Sequence, residues 1–161
     1  MKKIIIALAL LGVYKLQHVS EEQAINIIRE VKKQYPYLSV IPEDLILAII
    51  ETESSFNALA VRPEFKINDG SIGLMQLLTS TAKWIDELYN LNIYKGWYSL
   101  LSLRVNITLG MHLLYWLYKR CNGNLECMIH SYNEGYGNYK KGKRVDSYYE
   151  KVIKAIKRRK K

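Results

Sequence analysis

The stretch Pro42-Glu43-Asp44-Leu45-Ile46-Leu47-Ala48-Ile49-Ile50-Glu51-Thr52-Glu53-Ser54 decides how this chain is read. Pro42 presets the backbone of a first helical turn, and Glu43 and Asp44 fall where the positive end of a helix dipole favours acids. From Leu45 to Ile50 every side chain is apolar, so a helix here has no polar face to offer water and belongs in the centre of a domain. Its final turn then carries Glu51 and Glu53 to the place where the core ends. Burial resists ionisation, so a glutamate in that position is suited to hold a proton near neutral pH and donate it as a general acid. Each helical residue advances by about 100°, so the two glutamates project about 200° apart and only one can face a given cleft. The residues alone leave the choice between them open, and an ion pair or a capping role accounts for either.

Outward from this helix, apolar residues recur at spacings of three and four along most of the chain, which favours helices over strands. Ser20-Glu21-Glu22-Gln23 fits a capping box, and Ala24, Ile27, Ile28 and Val31 share one face of a helix predicted to run to Tyr35, before Pro36. Asn57 to Gly70 reads as irregular. The run Gly73-Leu74-Met75-Gln76-Leu77-Leu78 leads into a helix capped near Thr79 or Ser80 and carrying Trp84, Ile85 and Leu88. The longest helix is predicted from about Leu101 to Arg120, a short one from Leu125 to Tyr132, and a last one from about Ser147 to Arg159. With 161 residues the chain supports one core, so the expectation is an all-α domain over residues 20–156, an apolar segment over 1–19 and a basic tail over 157–161.

The charge is unevenly placed. Of 24 Lys and Arg and 15 Asp and Glu, the last 24 residues from Asn138 hold 11 and 2, which is the whole net charge of +9. Such a segment either contacts an anionic polymer (nucleic acid, a lipid surface or a cell wall) or is a solvated helix end. At the other end, Met1-Lys2-Lys3 precedes the apolar run Ile4 to Tyr14, which is too short to span a bilayer as an ordinary helix. It reads as a signal-like segment, as an anchor to a membrane or assembly partner, or as a first helix packed on a partner. Cys121 and Cys127 flank a turn-forming Asn122-Gly123-Asn124, so a disulfide and two free thiols are both open; no second Cys or His pair has zinc-site spacing, and no metal is expected.

Several blocks in order carry a resemblance. Glu53-Ser54-Ser55-Phe56-Asn57, Ser71-Ile72-Gly73-Leu74-Met75-Gln76-Leu77 with Thr81-Ala82, Asn106-Ile107 with Gly110 and Leu113-Leu114, and Ser131-Tyr132-Asn133-Glu134-Gly135 resemble the soluble lytic transglycosylase (SLT) domain family, related to goose-type lysozyme. Tyr148 with Val152 resembles the closing element of the same family, so the resemblance covers roughly residues 40–156. It implies a lysozyme-like helical domain whose catalytic glutamate directly precedes Ser, which is Glu53 here, leaving Glu51 structural. It implies further that Ser71, Met75 and Gln76 belong to a saccharide cleft, that Tyr132 and Asn133 contact sugar beside the scissile bond, and that Tyr148 hydrogen-bonds near the catalytic carboxyl. The implied reaction is cleavage of the bond between N-acetylmuramic acid and N-acetylglucosamine with closure of a 1,6-anhydro ring, without metal or organic cofactor. The implied partner is the glycan strand of peptidoglycan, met in the periplasm, the cell envelope or a phage virion.

Two departures bear on that reading. Thr79 stands where the family usually has Pro, and a threonine can cap the helix there. The loop between Glu53 and Gly73 is long and contains Val61-Arg62-Pro63-Glu64-Phe65, so Glu64 is a candidate second carboxylate that positions water, with a surface pair to Arg62 or Lys66 as the alternative. A muramidase that transfers to water, and a silent lysozyme-like module that binds glycan, nucleic acid or membrane, are the competing functions.

Overall fold

The computed structural model describes residues 17–160, so the apolar run from Ile4 to Tyr14 lies outside the described residues. Among the described residues seven full α-helices follow in order: α1 Glu21–Gln34, α2 Glu43–Ser54, α3 Thr79–Leu88, α4 Leu103–Arg120, α5 Leu125–Glu134, α6 Tyr136–Lys140 and α7 Asp146–Arg159. The capping box at α1 forms as its residues predict, with Ser20 Oγ accepting from the Gln23 amide at 3.1 Å and Gln23 Oε1 accepting from the Ser20 amide at 2.9 Å. Helix α2 is the central element: Leu45 through Ile50 are all buried, at 2% exposure or less. Each large side chain among them contributes about 1.5–3 kcal/mol relative to exposure, which is why the rest of the domain is arranged around this rod. It packs against α1 and most extensively against α7, and Gln17 to Val19 lie alongside the chain that leaves its end, with the Val19 amide donating to the Phe56 carbonyl at 2.9 Å.

The stretch after α2 is more ordered than its sequence predicts. Val61–Glu64 (β1), Asp69–Ile72 (β2) and Leu77–Leu78 (β3) form a small antiparallel sheet in the order β1-β2-β3, with Val61 opposite Ile72 and Ser71 opposite Leu78. Strands of two to four residues are too short for an alternating pattern to stand out, and Pro63 is tolerated because β1 is an edge. The start of α3 also differs from expectation. Its cap is Asp69 on β2 rather than Thr79 itself: the Asp69 carboxylate accepts from the Thr79 and Ser80 amides, each at 3.1 Å, and from both hydroxyls. This ties sheet to helix. Cys121 and Cys127 form a disulfide, Cα to Cα 5.7 Å, that closes the turn between α4 and α5. Arg158 and Arg159, expected at the start of a free basic tail or helix end, instead pair with acids of the domain, Arg159 Nη2 lying 2.7 Å from both Glu21 Oε2 and Glu51 Oε2. No helix among the described residues is long and apolar enough to cross a membrane.

Candidate active site

The last turn of α2 separates the two glutamates as helical geometry requires. Partial burial pushes the Glu51 carboxyl up, but hydrogen bonds and charge from Arg158 and Arg159 more than offset it and hold Glu51 below the usual carboxylate range. Glu51 is therefore an ionised strut between α2 and α7. Glu53 faces the other way, into a cleft of about 470 Å³ between the sheet, α4 and α5. Burial pushes its carboxyl above the ordinary value, against the hydrogen bond from Tyr148 and the more distant charge of Arg62. The Tyr148 hydroxyl donates to Glu53 Oε1 at 2.7 Å. Burial and the nearby carboxylate hold that phenol far above its usual range, so it stays a donor across the working pH of any enzyme.

The remaining predicted residues divide. Ser71, Gln76, Tyr132, Asn133 and Glu64 line the same cleft as Glu53. Tyr132 rises from α5, and its hydroxyl donates to the Met75 carbonyl at 2.8 Å, while Asn133, one residue on, is exposed at the rim. Gln76 sits at φ 46°, in the left-handed region that a non-glycine residue enters at a cost. Its Nε2 donates to the carbonyls of Ala60 at 3.1 Å and Gly73 at 3.0 Å, so the amide finds partners in the backbone before β1 and in its own turn. Met75 is a correction. Its side chain is 0% exposed and lies in the core beneath the cleft; a Cβ on Gly110 of α4 would come within 2.2 Å of the Met75 sulfur, so Gly110 is what lets the side chain pass. Only the Met75 backbone serves the site, through its carbonyl.

Asn106 explains how the turn from Gly73 to Gln76 keeps that shape. Buried on α4, it accepts from the Met75 amide at 2.8 Å and donates to the carbonyls of Ile72 at 2.8 Å and Leu100 at 2.9 Å. Gly73, at φ 79°, lies so close that a Cβ would meet the Asn106 amide nitrogen at 2.3 Å. Ser54, next to the catalytic candidate, bonds the same turn from the other side, its hydroxyl donating to the Leu74 carbonyl at 2.8 Å.

Glu64 makes the pair with Arg62 that was its alternative reading, and it also borders the cleft. It accepts from Arg62 Nε at 2.9 Å and from the Ser71 hydroxyl at 3.3 Å, so it is ion-paired and at the same time a wall of the cleft. The aromatic wall was not legible as such: Trp84, Trp116 and Tyr136 line the cleft, with Trp116 edge-on to Trp84 at 5.0 Å and to Tyr136 at 5.7 Å between centroids. The sequence places Trp84 on a predicted helix with Ile85 and Leu88 and marks it for no site, yet it is 40% exposed. Exposed aromatic faces bordering a cleft offer stacking surfaces to the apolar faces of pyranose rings. Among the described residues no group of three or more His, Cys, Asp or Glu is disposed to hold a metal ion.

Comparison with known proteins places these features in context. The family model described as the transglycosylase SLT domain matches residues 26–154. The chain is 30% identical over 105 residues to the soluble lytic murein transglycosylase of Escherichia coli K12, covering 65% of this chain and 16% of that protein. It is similar in structure to the 70 kDa soluble lytic transglycosylase of Escherichia coli, with a TM-score of 0.58 and 25% identity over 72% of this chain and 17% of that one. It is similar too to an inactive mutant of the lytic transglycosylase Slt from Pseudomonas aeruginosa, with a TM-score of 0.61 and 25% identity over 82% of this chain and 21% of that one. The chain thus spans about one sixth of the length of the curated relative it matches.

Proposed function

Because the chain belongs to the transglycosylase SLT domain family, whose all-α lysozyme-like fold it has, we propose that it is a peptidoglycan lytic transglycosylase with Glu53 as its acid and base. The single observation that carries this reading is a glutamate whose ionisation burial disfavours, facing a cleft of about 470 Å³, with a tyrosine hydroxyl 2.7 Å from its carboxyl. Glu53 protonates the oxygen joining N-acetylmuramic acid to N-acetylglucosamine, and the bond from C1 of the muramyl ring to that oxygen breaks. Charge developing at C1 is met by the ring's own acetamido oxygen, so the step needs no enzymic nucleophile; substrate-assisted glycosidases follow the same logic. The ionised Glu53 then takes the proton of the C6 hydroxyl as that oxygen closes on C1, which forms the 1,6-anhydro ring and restores the acid. Tyr148 suits this double use, since its donated bond stabilises the carboxylate between the two steps.

A second reading is favoured by one observation, the presence of Glu64 on the same cleft wall. If Glu64 orders a water at C1, the product is a reducing muramyl end and the enzyme is a muramidase. Digestion of purified peptidoglycan with mass analysis separates the two. The proposal expects anhydro-muramyl ends from the parent and a rate lower by on the order of a thousandfold from Glu53→Gln. Equal activity of both proteins would sink the role of Glu53, and reducing ends alone would select the hydrolase.

The setting is extracytoplasmic: peptidoglycan lies outside the cytoplasm, and the chain serves local wall opening in turnover, in a secretion machine or in a phage particle. The segment before Gln17 is the proposed attachment to a membrane or assembly partner. The basic face of α7 and the loop before it is the proposed contact with an anionic wall polymer, since Lys151, Lys154 and Lys157 are exposed there.

A further inference from the structure

Among the described residues four charged side chains line the cleft: Glu53, Arg62, Glu64 and Glu134. Three of them are answered from within the protein. Arg62 pairs with Glu64 at 2.9 Å, and Glu53 accepts from the Tyr148 hydroxyl at 2.7 Å. The Glu134 carboxylate has neither a hydrogen bond nor an ion pair among the described residues, although the side chain is half-buried.

Local structure gives that charge no role. Glu134 is the last residue of α5, where the negative end of the helix dipole disfavours an acid. Its backbone is nevertheless fixed: the Glu134 carbonyl accepts from Asn138 Nδ2 at 2.8 Å, and Gly135, at φ 81°, turns the chain into α6. Two residues on, Tyr136 borders the same cleft, edge-on to Trp116. An unmatched carboxylate beside aromatic faces offers a cation both a counter-charge and the negative face of a ring.

We infer that Glu134 is a specificity-determining residue that receives the C2 ammonium of a de-N-acetylated glucosaminyl residue, an inference that rests on the proposed cleavage of peptidoglycan. A fully N-acetylated glucosamine is neutral. Its hydroxyls or its acetamido N–H would donate to Glu134 and still leave the charge unmatched, whereas an ammonium supplies both donor and charge. The amine belongs to glucosamine and not to the muramyl ring at the scissile bond, because the proposed cleavage uses the acetamido oxygen of that ring. The cleft thereby favours strands in which glucosamine has lost its acetyl group while muramic acid has kept it.

The test reads binding without turnover, on a Glu53→Gln background, by calorimetric titration at a pH of about 6, where an amine is protonated. The probes are glycan strands stripped of their peptides by an amidase and de-N-acetylated at glucosamine by a deacetylase, and the same strands re-acetylated with acetic anhydride; neither probe carries a stem amine. One partly exposed ion pair gives a preference of roughly three- to fivefold for the de-N-acetylated strands at low salt. Adding Glu134→Gln, which keeps the shape and removes the charge, brings the ratio to about one, while Glu134→Asp keeps it above one. Equal affinity for the two probes on the Glu53→Gln background, tighter binding of the re-acetylated strands, or a preference that survives Glu134→Gln overturns the inference. Failure to bind either probe overturns it together with the proposed function, and absence of anhydro ends from the Glu53 enzyme bears only on the cleavage chemistry.

Discussion

Replacing Asn106 with alanine tests whether the turn that builds the cleft floor is held from beneath. Asn106 is 1% exposed, and its amide satisfies three backbone groups, the Met75 amide and the Ile72 and Leu100 carbonyls, all at 2.8–2.9 Å. Alanine removes every one of these bonds and leaves their partners buried. An orphaned buried group costs about 1–3 kcal/mol, and water entering the vacated space offsets part of the sum. The expected loss is roughly 3–5 kcal/mol, a large share of the about 5–15 kcal/mol that holds a typical domain together. For a domain of this size each kcal/mol moves Tm by about 2–4 °C, so the midpoint falls by on the order of 10 °C. Thermal and urea unfolding measure this directly. A functional effect accompanies it below the midpoint: the Met75 carbonyl accepts from Tyr132 and Gln76 follows in the same turn, so KM for glycan rises. A midpoint within about 3 °C of the parent together with an unchanged KM would refute the assignment of Asn106 as the support of the site.

Tyr148→Phe removes the hydrogen bond to Glu53 Oε1. That bond favours the carboxylate, so its loss moves Glu53 further up, and the alkaline limb of kcat/KM moves to higher pH; a limb that stays in place or moves down contradicts the role given to Tyr148. Partial burial pushes Asp69 up, but bonds from Ser80, Thr79 and the Gly70 amide hold it at about 2. A depressed folded value means that this stabilisation is complete above the unfolded value of about 4 and vanishes as pH falls toward about 2. Asp69→Asn therefore costs about 1 kcal/mol at neutral pH, the worth of a helix cap, and urea midpoints of variant and parent converge as the solution is acidified through that window. Midpoints separated by a constant amount from pH 7 down would show that the charge of Asp69 is not what caps α3.

How much of this was legible in the chain depended on whether a residue's role was local. The buried rod of α2 follows from six consecutive apolar residues, and the capping box of α1 from four neighbours, because both are decided within a few residues of sequence. The sheet and the cap of α3 were hidden because they join Asp69 to Thr79 and Val61 to Ile72 across a loop with no periodic signal. Met75 was misjudged for a related reason. In the run Leu74-Met75-Gln76-Leu77, whether the Met75 side chain turns into the core or toward the cleft depends on the space that Gly110 leaves on another helix. Trp84 is the reverse case: on a predicted helix beside Ile85 and Leu88 it carries no signal of its own, and only the cleft that it borders with Trp116 gives its exposed face a place in the candidate site.

The assignment of the acid itself depends on α7. Along α2 the two glutamates are equivalent in kind, each at the end of the same apolar run. The last helix breaks the equivalence at both of its ends. Its final turn supplies Arg158 and Arg159, which hold Glu51 ionised, and its first turn supplies Tyr148, which reaches Glu53 in a place where burial resists the charge. A basic C-terminal helix that composition reads as a solvated end or a polymer contact thereby sets the surroundings of both carboxylates. The same helix that ion-pairs Glu51 at its final turn brings the Tyr148 phenol to Glu53 from its first turn, so the two carboxylates are told apart by which end of α7 each one meets.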